Sequence, residues 1–261
     1  MIKILPRLLS ARRYLSMMDP IYKWKIKRYR CLYCGGNFFI QLRNNIKESD
    51  KCISQLGFSL RCLKCKANLT NSSLIKAIKK HISLYDVKTA WEMSTYGVTL
   101  EYLLKNINKV FTSEYFEGKE SGSYFNDILI QDVQKTSFKD NQLDLITCNQ
   151  VFEHVPDLNK SFSECYRILN KNGALIFSVP FFKIENTEKK AYLSEEGINY
   201  IGKPEFHDSR IGGPGSAPVF WHISINDIEK KLSEFGFQTE LIHVGPNNQS
   251  FTQVIYARKL N

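Results

Sequence analysis

From about residue 86 to the end of the chain, short apolar segments of strand length alternate with amphipathic segments of helical length. Parallel strands need a crossover connection of a dozen or more residues, and this connection is usually a helix. The alternation therefore predicts a doubly wound α/β fold with a mostly parallel, seven-stranded sheet. The predicted strands are 89–93, 109–113, 127–131, 143–148, 173–179, 238–244 and 251–258, and the predicted helices are 98–107, 158–170 and 225–235.

One stretch, NQVFEHVPDLNKSFSECYRILNKNGALIFSVPF at residues 149–181, shows the repeating unit most clearly. An acid–histidine pair follows an apolar strand, and a helix with apolar residues at helical spacing comes next. Asn172 and Gly173 are typical helix-ending residues, so we expect the helix to stop there. Ligands of open α/β sheets bind beyond the carboxyl ends of the strands, so residues 149–154 are predicted to lie at a binding edge.

The net charge of +10 is concentrated at the N-terminus. Residues 1–30 hold nine Lys and Arg residues against Asp19 alone, a net charge of +8, whereas the rest of the chain has +2. The composition, 43% hydrophobic and 24% charged, is ordinary for a soluble globular protein, and no run is long and apolar enough to span a bilayer. The nearly neutral body has no basic stripe, which argues against a nucleic-acid partner.

The basic, amphipathic segment 1–30 has three interpretations. It could lie on an anionic membrane surface, act as a transit peptide, or dock on the body as a solvated helix. We expect a cytoplasmic protein, and the first interpretation adds peripheral contact with a membrane.

Residues 31–75 are predicted to form a separate zinc-ribbon-like module. Cys31 and Cys34 form one Cys-x-x-Cys pair, Cys62 and Cys65 form another, and 27 residues separate the two pairs. Each pair can aim two sulfurs at one ion, so together they predict a structural, tetrahedral Zn²⁺ site. The alternative is that the pairs are unrelated and belong to a small core.

The remaining cysteines do not extend this pattern. Cys52 does not fall at metal-ligand spacing from another cysteine, and Cys148 and Cys165 lie on apolar faces and are predicted core residues. An odd cysteine count with paired spacing argues against a secreted disulfide framework and favours a reducing compartment.

Mostly polar residues lie at or just after the ends of the first four predicted strands. They are Glu92, Ser94 and Gly97 after the first, Glu114 after the second, Asp132 and Val133 after the third, and Asn149, Gln150 and His154 after the fourth. A carboxylate after the second strand can accept hydrogen bonds from both ribose hydroxyls of a nucleoside. An acid after the third can accept one from an adenine amino group.

At this point the chain resembles a known family. QLDLITCNQVFEHVPDLNKSFSECYRILNKNGALIFSVPF is similar to the fourth-to-fifth-strand core of class I S-adenosylmethionine-dependent methyltransferases, with a Glu-His-Val turn between strand and helix. The order of motifs agrees over residues 88–182, and the domain is predicted to cover 86–261. The version here resembles members that act on small molecules, often in glycan or lipid assembly.

The resemblance implies a role for each strand-end residue. Glu92, Ser94 and Gly97 would line the methionine end of the cofactor S-adenosylmethionine, and Glu114 would hold its ribose. Asp132 and Val133 would hold adenine, while Asn149 and Gln150 would lie nearest the sulfonium. The family's first loop is usually rich in glycine, so that the backbone can approach the cofactor. This chain keeps only Gly97 there.

His154 and His207 are the predicted catalytic residues. A histidine near the transferred methyl group could act as a general base for a hydroxyl acceptor. Alternatively, Glu153 and His154 cap the following turn. His207 belongs to the segment 182–222, which is long for a connection inside a sheet and is predicted to be a lid with an acceptor pocket. The alternative is a surface insertion with incidental histidines.

The expected function is methyl transfer from S-adenosylmethionine to a small-molecule acceptor, for example a hydroxyl of a sugar, a glycan or a lipid-linked metabolite. Two alternatives remain. One is an RNA base methyltransferase, since some of these also carry a zinc module. The other is a non-catalytic zinc-ribbon scaffold with a degenerate methyltransferase fold, which the glycine-poor loop favours.

Overall fold

The N-terminal part of the chain forms a small antiparallel sheet beside two helices. The computed structural model of the protein describes residues 25–41, 52–53, 56–245 and 250–260. The elements of this part are β1 (Lys25–Arg28), β2 (Phe38–Gln41), α1 (Leu56–Ser59), β3 (Leu60–Cys62) and α2 (Leu69–His81), and the strand order is β1-β2-β3. The prediction for residues 1–30 lies outside the described residues, apart from 25–30, which contain β1.

Helix α2 was not predicted, because its first turn is a polar run that looks like a loop. The side chain of Asn68 accepts a hydrogen bond from the backbone N–H of Asn71 at 2.6 Å and so caps the helix. The hydroxyls of Ser72 and Ser73 donate to backbone carbonyls of the preceding turn. These bonds satisfy polar groups that are buried, which lets the helix start with polar residues.

An eight-stranded mixed sheet forms the centre of the protein. Its strands are β4 (Thr89–Glu92), β5 (Lys109–Glu114), β6 (Tyr124–Phe125), β7 (Ile128–Ile130), β8 (Leu143–Asn149), β9 (Leu169–Ser178), β17 (Phe237–Val244) and β18 (Thr252–Lys259). Their order is β17-β18-β9-β8-β4-β5-β7-β6. Strands β4, β5, β7, β8 and β9 are parallel, while β18 is antiparallel to both of its neighbours.

The α/β sheet agrees with the predicted fold class, and each of the seven predicted strands has a counterpart. The predicted number of strands was wrong, because the two-residue strand β6 pairs antiparallel with β7 at the edge. From β7 to β9 the sheet has the order 3-2-1-4-5 of doubly wound folds.

The predicted end of the helix after residue 158 was also wrong. The helices that follow α2 are α3 (Val98–Asn106), α4 (Leu158–Ile168) and α5 (Ile228–Ser233). Strand β9 begins directly after α4, and Asn172 and Gly173 lie inside that strand. The register shifts here, since Leu143 pairs with Leu169 but Leu145 pairs with Ala174. Asn172 adopts its φ of 64° in this irregularity rather than at a helix end.

Apolar side chains cover both faces of the central sheet. On one face Phe162 of α4 and Leu232 of α5 pack in a cluster with Phe177 of β9. On the other face a second cluster joins α2, α3, the central sheet and the small sheet, and its members include Leu74, Ile78, Leu103, Ile176, Phe39 and Leu60. Phe39 and Leu60 belong to the small sheet, and the small sheet therefore shares its core with the central sheet.

The segment between β9 and α5 folds into short strands that lie against one edge of the sheet. These are β10 (Phe181–Phe182), β11 (Glu188–Lys189), β12 (Ala191–Ser194), β13 (Gly197–Tyr200), β14 (Phe206–Ser209), β15 (Gly213–Pro218) and β16 (Trp221–Ser224). Strands β12 and β13 form one hairpin, and β14 and β15 form a second. Among the residues that the structure describes, no helix is both long enough and apolar enough to cross a bilayer.

Candidate functional site

The four cysteines predicted to bind zinc lie together beside the small sheet. The Sγ atoms of Cys31 and Cys65 are 3.7 Å apart, and those of Cys34 and Cys62 are 3.6 Å apart. All four sulfurs lie within 4.8 Å of one another, and none is in a disulfide. A tetrahedral ion with bonds of about 2.3 Å to sulfur separates its ligands by about 3.8 Å, so the spacing fits zinc.

The two Cys-x-x-Cys turns have the same backbone conformation. Gly35 and Lys66 occupy equivalent positions, with φ values of 70° and 67°. Their N–H groups donate to the carbonyls of Cys31 and Cys62 at 3.0 and 2.9 Å. A Cβ at Gly36 would come within 3.4 Å of two cluster sulfurs. The sequence therefore has a glycine where a side chain would crowd the sulfurs of the cluster.

A cleft of about 1140 Å³ opens at the carboxyl edge of the central sheet. Pockets for small molecules usually have about 300–1,000 Å³, so this cleft has room for a cofactor together with an acceptor. It is lined by all ten residues predicted for the cofactor and for catalysis, namely Glu92, Ser94, Gly97, Glu114, Asp132, Val133, Asn149, Gln150, His154 and His207.

The first loop joins β4 to α3 and begins with a buried acid. Glu92 accepts hydrogen bonds from the hydroxyls of Thr147 and Ser94, the latter at 3.0 Å. Burial raises the pKa of Glu92 to about 7, although the hydrogen bonds from both hydroxyls lower it. Gly97 precedes α3 with a φ of 110°, which favours glycine, and a Cβ there would point into open space.

The acids after the second and third strands are held by neighbouring side chains. Oε1 of Glu114 accepts hydrogen bonds from the backbone N–H and the hydroxyl of Thr95, at 2.8 and 2.7 Å. Burial raises the pKa of Glu114. Oδ1 of Asp132 accepts from the backbone N–H and the side-chain amide of Gln134, at 2.9 and 3.1 Å. Each acid is therefore fixed in orientation at the edge of the cleft.

Three polar atoms at the ends of β8 and β9 are buried without a partner. Within the described part of the chain, Oδ1 of Asn149, Nε2 of Gln150 and Oγ of Ser178 have no hydrogen-bond partner. Buried polar groups are normally paired, and Asn149 and Gln150 line the cleft, so their unpaired atoms suit a polar ligand there. The N–H of Gln150 donates to the carbonyl of Ser178 at 2.7 Å, and Gln150 adopts a φ of 57°.

His154 and His207 come together although they are 53 positions apart. Nδ1 of His207 lies 3.1 Å from Nε2 of His154. Nδ1–H of His154 donates to the carbonyl of Pro218 at 2.8 Å, which leaves Nε2 facing His207. Burial lowers the pKa of His154 to about 4 and also lowers the pKa of His207, while burial raises the pKa of the adjacent Glu153 to about 8.

The segment 182–222 covers one side of the cleft, mainly through its second hairpin. Phe206, His207 and Ile211 line the cleft, as do Leu193 and Ile198 of the first hairpin. The cleft wall on this side is thus largely apolar. Gly212, Gly213 and Gly215 lie in the turn and second strand of the β14–β15 hairpin.

Several side chains in the cleft or beside it were not predicted. Thr95 and Gln134 donate hydrogen bonds to Glu114 and Asp132, and Asn71 of α2 lines the cleft from the side of the small sheet. Arg210 places its guanidinium 4.4 Å from the centre of the Tyr96 ring. Thr95 could have been predicted, because it lies inside the predicted first loop. Arg210 could not, because it is distant in the sequence and contacts the loop only in the folded chain.

Comparison with known sequences gives a partial match to one family. A family model described as a methyltransferase domain matches residues 94–177. The ubiquinone biosynthesis O-methyltransferases of Pseudomonas putida strains GB-1 and W619 are 38% and 40% identical over 63 residues. This segment is 24% of the chain and spans about a quarter, 25%, of the length of these curated relatives.

Solved structures with a similar fold include two methyltransferases. An S-adenosylmethionine dependent methyltransferase from Mesorhizobium loti has a TM-score of 0.48 and 14% identity, covering 71% of this chain and 97% of that one. The 1,6-didemethyltoxoflavin-N1-methyltransferase from Burkholderia thailandensis, solved with S-adenosylhomocysteine, has a TM-score of 0.47 and 11% identity, covering 74% and 79%. The family match at residues 94–177 includes residues at the sheet edge that forms the cleft, and this part of the chain is similar to a methyltransferase domain.

Proposed function

We propose that this protein transfers a methyl group from S-adenosylmethionine to a hydroxyl of a small-molecule acceptor. The observation that carries the proposal is the meeting of the strand-end residues Glu92, Glu114, Asp132 and Asn149 in one cleft. They come from the ends of four different strands, so one ligand in the cleft can contact all of them.

Some of the proposed cofactor residues can bind the nucleoside, and others can bind the amino-acid part. Glu114 keeps Oε2 available for ribose hydroxyls, because Thr95 binds Oε1. Asp132 can accept a hydrogen bond from an adenine amino group. Glu92 lies at the other end of the first loop, where its carboxylate would face the positively charged amino group of the methionine part.

The scarcity of glycine in the first loop is compatible with cofactor binding. Instead of glycines, the loop has Ser94 and Thr95, whose hydroxyls donate to Glu92 and Glu114. These bonds turn two side chains towards the strand ends, and the cleft beside Gly97 stays open. This argument favours an active enzyme over the scaffold interpretation.

The cofactor supplies an electrophilic methyl group on a sulfonium. In the reaction the acceptor oxygen forms a bond to the methyl carbon, the carbon–sulfur bond breaks, and its electron pair returns to sulfur. The hydroxyl proton must leave. His154 and His207 are the candidate residues for positioning the acceptor and withdrawing that proton, since both line the cleft where the lid meets the sheet.

The acceptor side of the cleft supports a molecule with an apolar part. Leu193, Ile198, Phe206 and Ile211 form this wall, and each of them is also more than one-third exposed. A lipid-linked or aromatic acceptor suits such a wall better than a free sugar does. The similar proteins from Pseudomonas putida are O-methyltransferases of ubiquinone biosynthesis, which supports an oxygen acceptor.

We also propose that Cys31, Cys34, Cys62 and Cys65 hold a structural Zn²⁺. Cys31 and Cys62 are buried among the residues that join the small sheet to α2 and the central sheet. A metal here would fix the small sheet against the domain. The cysteines lie outside the set of residues that lines the cleft, which supports a structural rather than a catalytic role.

Calorimetry with S-adenosylmethionine and S-adenosylhomocysteine tests the proposed function. We expect both to bind the full chain with one site, and we expect adenosine alone to bind more weakly because it lacks the part assigned to Glu92. A protein that is folded by circular dichroism but binds neither compound would contradict the proposal and favour the scaffold.

A further inference from the structure

Glu153, His154 and His207 form a compact cluster at the acceptor end of the cleft. Oε1 of Glu153 lies 3.6 Å from Nε2 of His154 and 3.7 Å from Nδ1 of His207. The two ring nitrogens are 3.1 Å apart. One oxygen and two nitrogens, from three side chains, thus lie within 3.7 Å of one another.

The carboxylate of Glu153 is the unusual member of this cluster. Its side chain is only 2% exposed, and neither of its oxygens has a hydrogen-bond partner among the described residues. Leaving a buried carboxyl group without a hydrogen-bond partner is costly whether or not it is protonated, and such groups are normally paired or bound to a metal. The imidazole nitrogens are too far away to satisfy it by hydrogen bonds.

A hydrogen bond between the two imidazoles would leave this carboxylate unpaired, whereas a cation would satisfy all three side chains. Nδ1–H of His154 donates to the carbonyl of Pro218, so its Nε2 offers a lone pair to the cluster. Histidines that bind metals usually donate their other ring N–H to a carbonyl or carboxylate in this way.

We propose that Glu153, His154 and His207 form a binding site for a divalent transition-metal ion. Bonds of about 2.1 Å at tetrahedral or octahedral angles separate ligand atoms by about 3.0–3.4 Å, and the observed distances lie within a few tenths of an ångström of this range. Two imidazoles and one carboxylate suit zinc, iron, cobalt or manganese better than magnesium or calcium.

The site would keep open positions towards the cleft. Three protein ligands leave coordination positions free, and both His154 and His207 line the cleft. This last step rests on the proposed methyl transfer: an acceptor hydroxyl that binds the ion would lose its proton more easily. The histidines would then act on the acceptor through the ion rather than by taking the proton directly.

Titration with Co²⁺ alone tests the site on the full chain, without cofactor or acceptor. Cobalt bound to nitrogen and oxygen absorbs weakly in the visible range, whereas cobalt on thiolates adds strong charge-transfer absorption at shorter wavelength. The titration can therefore tell this site from the cysteine cluster. The variants are His207→Ala and Glu153→Gln, with His243→Ala as the control because His243 is an exposed histidine outside the cleft.

We expect the wild type and His243→Ala to bind one Co²⁺ without thiolate absorption. Both cluster variants should bind it at least about 10-fold more weakly, since even residues behind a metal ligand change affinity by about 10–100-fold. The wild type lacking such a cobalt species, or cluster variants with unchanged affinity, would overturn the proposal. The calorimetry with S-adenosylmethionine is independent, so either proposal can fail without the other.

Discussion

Thr95 donates two hydrogen bonds to Oε1 of Glu114, one from its backbone N–H and one from its hydroxyl. This contact joins the first loop to the end of β5 and fixes the carboxylate where a nucleoside would bind. The proposed cofactor site would therefore be organised by side chains rather than by a glycine-rich backbone.

Replacing Glu114 or Asp132, the acids proposed to bind the nucleoside, should weaken cofactor binding. We expect Glu114→Gln and Asp132→Asn each to cost about 1–3 kcal/mol in S-adenosylmethionine binding, because each loses a charge-assisted hydrogen bond. Calorimetry measures this effect. Glu120→Gln is the matched control, since Glu120 is exposed and does not line the cleft. Unchanged affinity in both acid variants would mean that these acids do not bind the nucleoside.

Glu92 should make stability depend on pH. Its pKa in the folded protein, about 7, is above the ordinary value of 4.5, so the folded state binds more protons than the unfolded state between these values. The stability is therefore highest at low pH in this window and falls as the pH rises towards 7. We expect the free energy of unfolding to fall by about 1–3 kcal/mol more in the wild type than in Glu92→Gln between about pH 5 and about pH 8. Urea unfolding at both pH values measures it, and equal losses would refute the assignment.

The cysteine site should hold one zinc per chain. We expect Cys62→Ser to lose it and Cys52→Ser to keep it, because only the first change removes a sulfur from the cluster. A mercurial reagent releases the zinc that is bound to thiolates. Zinc released in this way can be counted without including metal bound at the Glu153 site. Zinc released in equal amounts from both variants would contradict the assignment.

Arg210 should slow the release of the cofactor. Its guanidinium lies over Tyr96, so it connects the β14–β15 hairpin to the first loop. A cation–π contact contributes about 0.5–2 kcal/mol. We expect Arg210→Ala to raise the dissociation rate of S-adenosylhomocysteine by about 5-fold, as measured by stopped-flow fluorescence. Lys203→Ala, an exposed cation of the same segment, should leave the rate unchanged. Equal rates in the two variants would show that the contact does not retain the cofactor.

The basic N-terminal segment should attract anionic membranes. Removing residues 1–24 keeps β1, which begins at residue 25, and deletes five of the nine basic residues of the segment. Each basic side chain near such a surface contributes about 1 kcal/mol, so vesicles containing phosphatidylserine should bind the shortened chain more weakly. Co-sedimentation measures this binding. Equal binding of both chains would favour the docked-helix interpretation.

The sequence by itself determined where the main strands lie along the chain and which residues follow their carboxyl ends. Both follow from local patterns, since apolar runs such as the one around Ile146 predict buried strands whatever surrounds them. The spacing of Cys31 and Cys34 is also a local pattern, which a short segment of the sequence shows by itself. These predictions needed no knowledge of which parts of the chain meet.

Only the tertiary structure decided how distant parts combine. Helix α2 begins with polar residues, so its stability depends on the cap at Asn68 and on burial against the sheet rather than on local hydrophobic pattern. The bulge at Asn172 depends on pairing with β8, which a single segment cannot reveal.

The same reason applies to the cluster of Glu153, His154 and His207. The sequence pointed to both histidines, but a carboxylate next to His154 looks like an ordinary turn residue until its surroundings are known. Folding the β14–β15 hairpin over the sheet edge places His207 beside His154, and neither oxygen of the buried Glu153 finds a hydrogen-bond partner in the described part of the chain. Burial and pairing across 53 positions are properties of the folded chain, because they depend on contacts between segments that local sequence does not encode.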